Sequence, residues 1–89
     1  MNVEVLFFAQ LREITNIRQR TYAMKAGAVL SDLLDMIVAD FGEIFRQEIQ
    51  HLEGLRVLIG DHEFGLDESL SQPLHDKDTV VFLPPIAGG

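Results

Sequence analysis

One apolar stripe constrains this chain more than any other feature. Leu30, Leu33, Leu34, Ile37, Val38 and Phe41 fall at i, i+3, i+4, i+7, i+8 and i+11, the spacing of one face of an α-helix. Asp32, Asp35 and Asp40 lie off that stripe, and Gly42 supplies a stop. A helix with a single apolar face must lay it on another element, and the rest of the chain supplies mainly short β-type runs. Residues 3–8 (Val-Glu-Val-Leu-Phe-Phe) read as a strand, and 18–24 as a more polar strand returning antiparallel to it. Leu55–Ile59 is an apolar run bounded by Gly54 and Gly60, which fits a buried strand, and Thr79–Leu83 reads as the last one.

Between these, Leu11 and Ile14 allow either a turn of helix or a wide loop over Ala9 to Thr15. Ile44, Phe45, Ile49 and Leu52 suggest a second, shorter helix. Residues 61–78 are turn-rich and acidic; Gly60-Asp61-His62-Glu63 looks like a hairpin connection, and Pro73 rules out a long central strand there. The expected order is β-β-α-β-(turns)-β, a two-layer α+β domain over residues 1–83 in which one principal helix covers one face of a small mixed sheet. At 89 residues there is room for one domain. A chain of this size hides only about 60–65% of the surface its unfolded form exposes, which leaves little with which to enclose a deep active site.

Parity identifies the uncovered face. Glu4 is charged, so its side of the first strand meets water together with Leu6 and Phe8, while Val3, Val5 and Phe7 point inward. On the last strand Thr79 is the polar member, which places Val81 and Leu83 outward and Val80 and Phe82 inward. Leu6, Phe8, Val81 and Leu83 then form an apolar patch suited to a partner, unless loops or the second helix cover it.

Charge and composition exclude several functions. With 14 acidic against 7 basic residues the net charge is −7, the wrong sign for nucleic-acid phosphates, although it would steer a basic protein partner. No apolar run approaches the roughly 18 residues that span a bilayer. The start of the chain lacks a signal-peptide pattern, so a cytoplasmic location is expected. There is no cysteine, which removes disulfides, thiolate catalysis and cysteine-based metal sites. His51, His62 and His75 lie far apart without ligand-like spacing, so no metal site is expected. Asp76 and Asp78 around Lys77 suit a turn better than an acid/base pair. There is neither a phosphate-cradling glycine loop nor a nucleophile elbow, so the chain is not expected to catalyse a reaction alone.

The end of the sequence has a different character. After the last strand come Pro84-Pro85-Ile86-Ala87-Gly88-Gly89, read as a flexible tail over 84–89. Pro84 and Pro85 favour an extended form and launch the segment from the sheet. Six extended residues reach at most roughly 20 Å, enough to enter another protein's active site. Gly88 and Gly89 have no Cβ, so a narrow channel can close on them and still expose a terminal carboxylate. A carboxylate is a poor electrophile. Adenylation with ATP in a partner enzyme would activate it, and a sulfur donor displacing AMP would leave a thiocarboxylate on Gly89.

Val5-Leu6-Phe7-Phe8-Ala9-Gln10-Leu11-Arg12-Glu13, Pro73-Leu74-His75-Asp76-Lys77-Asp78 and Phe82-Leu83-Pro84-Pro85-Ile86-Ala87-Gly88-Gly89 together resemble the MoaD family, the small subunits of molybdopterin synthase. The resemblance covers the full chain. It implies a β-grasp, ubiquitin-like fold and a chain that binds no cofactor of its own, with ATP used by an E1-like activating enzyme of the MoeB type. It further implies insertion of the tail into a MoaE-like large subunit, in an assembly of two small and two large subunits. There Gly89 would deliver sulfur to cyclic pyranopterin monophosphate to form the molybdopterin dithiolene. Phe8 and Leu83, with Pro84 to Ala87, would meet the partners. Lys77 stands where the family usually has glycine, and the third-strand region lacks the family's common Val-Asn pair. The ThiS branch is usually shorter and lacks the Phe-Phe-Ala-x-x-Arg-Glu segment.

Two other functions fit the same ends: a ubiquitin-like modifier joined to lysines through Gly89, and an interaction domain whose Gly-Gly end is incidental.

Overall fold

The computed structural model describes residues 1–85. Among these residues five strands and four helices follow one another as β1 (Asn2–Leu6), α1 (Ala9–Thr15), β2 (Gln19–Ala23), α2 (Leu30–Phe41), α3 (Glu43–His51), β3 (Arg56–Ile59), β4 (His62–Gly65), α4 (Leu66–Ser69) and β5 (Thr79–Leu83). The strands form one mixed sheet in the order β2-β1-β5-β3-β4. Only β1 and β5 run parallel, at the centre, and the remaining neighbours are antiparallel.

The stripe expected from spacing is the buried face of α2. Leu30, Leu33, Leu34 and Ile37 are buried, and Val38 and Phe41 pack at the edge of the same core. The Asp32 carboxylate accepts the Val29 N–H at 2.9 Å, capping the first turn of the helix. Gly42, at φ +97°, ends the helix and starts α3 directly. From the sheet, Val3, Val5, Phe7, Val57, Val80 and Phe82 meet the helices with no exposure at all. Phe7 stands edge-on to Phe41 and Phe45, and Phe45 to Phe82, at centroid distances of 5.6–5.8 Å.

Two differences from the sequence reading have physical causes. The first strand stops at Leu6 rather than running to residue 8, because the chain turns into α1 through Ala9 at φ +50°. Phe7 still donates its N–H to Arg18 O at 2.8 Å. Ala9–Thr15, open from sequence between a turn of helix and a wide loop, is helix and ends at Asn16 with φ +60°. Residues 61–78, read as turns, contain β4 and the four-residue α4. β4 is a short edge strand with His62 and Glu63 exposed, so it carries no apolar alternation, and pairing with β3 defines it. A hairpin does follow β3, but its connection is shorter than read: His62 and Glu63 belong to β4, and Gly60 at φ +63° takes the first central position of a two-residue loop with Asp61, as a II′-type turn requires.

Candidate functional site

The outer face of the sheet is built by the strand pleat. Residues that alternate with the buried set must point away from the helices. Register aligns Leu6 with Val81 and Val81 with Leu58, so three aliphatic side chains from three strands form one row. Leu83 lies one step further along β5, opposite Arg56. All four aliphatic residues are half-buried. The second helix does not cover them, because Phe45 and Ile49 of α3 are buried in the core on the inner side with Phe7 and Phe82. The expected patch of Leu6, Phe8, Val81 and Leu83 is therefore open. Leu58 is an addition to it: the charged Arg56 two residues earlier already marked its parity, but the continuous apolar run concealed it.

Phe8 completes the face at its tail end. It is extended (φ −125°, ψ 156°), and beside the reversal at Ala9 the residue is 38% exposed. One turn later Arg12 donates from Nε to Phe7 O at 3.2 Å, while its guanidinium lies 5.8 Å from the Phe8 ring centroid. The stacked cation restricts where the ring can lie. Beside Leu83, Arg56 pairs with Glu63 across β3 and β4 at 3.0 Å. Both partners are about half exposed, so the pair frames the face more than it stabilises the fold.

Pro84 and Pro85 follow β5 at this end of the sheet. Pro84 is half-buried and Pro85 exposed. Pro85 runs beside the turn at Gly54, where a Cβ would come 3.8 Å from its own. Gly54 sits at φ +80°, and that angle makes glycine the fitting residue. Of the expected site residues, the structure places Phe8, Leu83, Pro84 and Pro85 at one end of the sheet. Ile86, Ala87, Gly88 and Gly89 lie outside the described residues.

The turn that feeds β5 is structural. Asp76 Oδ1 accepts the Asn2 N–H and Asp78 Oδ2 accepts the His75 N–H, both at 2.8 Å. Lys77 donates its N–H to Asn2 O at 2.7 Å and Asp78 O accepts the Glu4 N–H at 2.9 Å, which ties the turn to β1. Lys77 stands at φ +69°, so the turn keeps a glycine-like geometry despite the side chain. His51, His62 and His75 are exposed, and no group of three metal-ligating side chains occurs among the described residues. Among the same residues no helix is long and apolar enough to cross a membrane. Every buried side-chain polar atom among them has a partner. What the described site offers is an apolar face that ends at Pro84 and Pro85.

Comparison with solved structures places this fold among ubiquitin-like β-grasp proteins. The crystal structure of SAMP1 from Haloferax volcanii superposes with a TM-score of 0.80 over 100% of both chains, at 20% identity. Subunit 1 in the complex of subunits 1 and 2 of molybdopterin-converting factor from Helicobacter pylori 26695 gives 0.63 at 27% identity, again covering 100% of both. The ThiS family profile matches residues 5–89, and the chain belongs to that family. Its curated relatives include the molybdopterin synthase sulfur carrier subunits of Drosophila yakuba and Chlamydomonas reinhardtii. The first is 33% identical over 92 residues, spanning 100% of this chain and 92% of that protein. The second is 29% identical over 94 residues, spanning 100% of each.

Proposed function

We propose that this chain is the sulfur carrier subunit of a molybdopterin synthase, and that its reacting group is the carboxylate of Gly89. The observation that carries the reading is the open face of Leu6, Phe8, Leu58, Val81 and Leu83 running into the Pro84-Pro85 root, in a chain whose end-to-end relatives bear that name. Residues 1–83 act as the handle and 84–89 as the arm. The handle docks first on an E1-like enzyme of the MoeB type. There the Gly89 carboxylate attacks the α-phosphorus of ATP, releasing pyrophosphate and forming an acyl-adenylate. A sulfur donor attacks the acyl carbon and AMP leaves, giving the thiocarboxylate.

The same face then docks on a MoaE-like large subunit, in line with the two-subunit complex from Helicobacter pylori. The arm inserts, with Pro84 to Ala87 in the entrance and Gly88 in the narrowest part. Sulfur passes to cyclic pyranopterin monophosphate, and the carboxylate is restored when water takes its place at the acyl carbon. No side chain of this subunit needs to exchange a proton. Its contribution is binding energy at the face, spent on placing one atom in a partner's active site.

An intact mass spectrum tests this directly. The untagged protein is incubated with ATP, a sulfide source and the E1-like enzyme of its host. The expected result is a gain equal to one oxygen replaced by sulfur, mapped to Gly89. An unchanged mass, in a preparation that thiolates another carrier, overturns it. Adducts on target lysines that survive boiling and reductant would move the assignment to a protein modifier using the same adenylate.

A further inference from the structure

At the end of the sheet opposite the tail root, the edge of β2 is unpaired. Met24 and Met1 exchange N–H···O bonds at 2.7 and 2.8 Å, and Phe7 donates to Arg18 O. Residues 18 and 24 thus fix the phase of the ladder, so the even-numbered positions of β2 bond to β1. The N–H and C=O groups of Gln19, Thr21 and Ala23 consequently point away from the sheet, and β2 pairs only with β1 among the described strands. Such an edge is a template for another extended chain.

The edge also has a floor. A cleft of about 570 Å³ lies between β2 and α2, lined by Ala23, Met24, Ala28 and Met36, with Asp32 and Asp35 on its rim. A second depression of about 290 Å³ shares Ala23 and Met36 with it and continues along the strand to Thr21. Met36 is one of only three large apolar residues exposed among those described, and it joins the two hollows. The Arg20 side chain does not obstruct the edge, since it folds toward Asp40 at 3.4 Å over the Tyr22 ring.

Charge narrows the occupant. α2 carries Asp32, Asp35 and Asp40 and no lysine or arginine. Asp40 is engaged by Arg20 and by the Tyr22 hydroxyl. Asp35 meets Arg46 at 3.1 Å yet stays 70% exposed, and Lys25 is the one cation lining the cleft. A second copy would bring a net charge of −7 against −7. We propose that the β2 edge and this cleft form a docking site for an extended segment of a partner protein, which adds as a sixth strand. Its aliphatic side chains seat on Met24 and Met36, and a flanking lysine or arginine faces Asp32 and Asp35. The site is separate from the tail and does not rest on the sulfur-carrier reading.

The test is an amide NMR titration of the full chain with the blocked peptide Thr-Ile-Thr-Val-Lys-Lys, alongside a version with both lysines replaced by glutamate. Saturable shifts at Gln19, Thr21, Ala23 and Met36 are expected, with slowed exchange of the Thr21 and Ala23 N–H groups. The glutamate peptide should bind at least tenfold more weakly. Thr21→Pro removes an outward N–H and should weaken binding at least tenfold. Met36→Lys, on the exposed face of α2, should do the same without touching the core. No saturation at millimolar peptide, shifts centred on Phe8 and Leu83, equal binding of the glutamate peptide, or full binding by Met36→Lys would each overturn the proposal.

Discussion

The two faces of the central sheet use the same strands and similar residues for different ends. Val80 and Phe82 are fully buried, while Val81 and Leu83, their neighbours on β5, are half-exposed. The inner set locks against α2 and α3 through the edge-on rings of Phe7, Phe45 and Phe82. The outer set meets neither α2 nor α3, whose buried residues pack on the inner side. Apolar side chains left in water contribute little to folding, and burying them later in an interface provides binding energy instead. One strand therefore holds the fold with alternate residues and leaves the rest on the open face, where the proposed partner would dock.

That division predicts a wide separation of effects. Phe82→Ala empties a site with no exposure and should cost about 3–5 kcal/mol, read as a lower urea midpoint. Leu83→Glu, one residue on, places a carboxylate opposite Arg56 and should shift stability by less than about 1 kcal/mol. On the account above, it should slow thiocarboxylate formation at least tenfold, a loss of about 1.4 kcal/mol in coupling to the activating enzyme. If Leu83→Glu unfolded the protein, or left thiocarboxylation unchanged, the two faces would not be divided in this way.

Away from that division, Tyr22 tests the inner layer at its margin. Its hydroxyl donates to Asp40 at 2.8 Å, and Tyr22→Phe should cost about 1 kcal/mol at neutral pH. Burial raises the Tyr22 pKa well above its ordinary value of 10, and the bond to Asp40 raises it further. In the unfolded chain the phenol loses its proton first, so its contribution is fully present below about pH 10 and declines as pH rises beyond it. Tyr22→Phe should remove that alkaline decline, which a denaturation series above pH 10 would show. The smallest effect belongs to the turn before β5. Lys77→Gly relieves a side chain at φ +69° and should stabilise by about 0.5 kcal/mol, since the steric relief exceeds the backbone entropy that glycine loses.

The same parity shows how much could be read before folding. The α2 stripe, the bounds of β5 and the inward and outward sets on β1 and β5 were all legible, because each depends on a period imposed by burial. Lys77 was visible as a departure from the family turn, and the structure shows that the turn absorbs it. β4 and α4 were hidden because polar residues at a sheet edge carry no period, and long-range pairing selects their conformation. Leu58 was obscured because a run apolar on both faces gives no alternation to read. On the site, Phe8 and Leu83 were placed on the open face from sequence, and the structure adds Arg12 stacked on Phe8 and the Arg56–Glu63 frame. The roles proposed for Gly88 and Gly89 rest on chemistry and family, since both lie outside the described residues.

The most direct test of the carrier account is to delete Gly89 and compare the truncated protein with the intact one in a reconstituted synthase reaction. The truncated protein should keep its urea midpoint while forming no thiocarboxylate and no molybdopterin. A truncated chain that folds and still supports molybdopterin formation would contradict it.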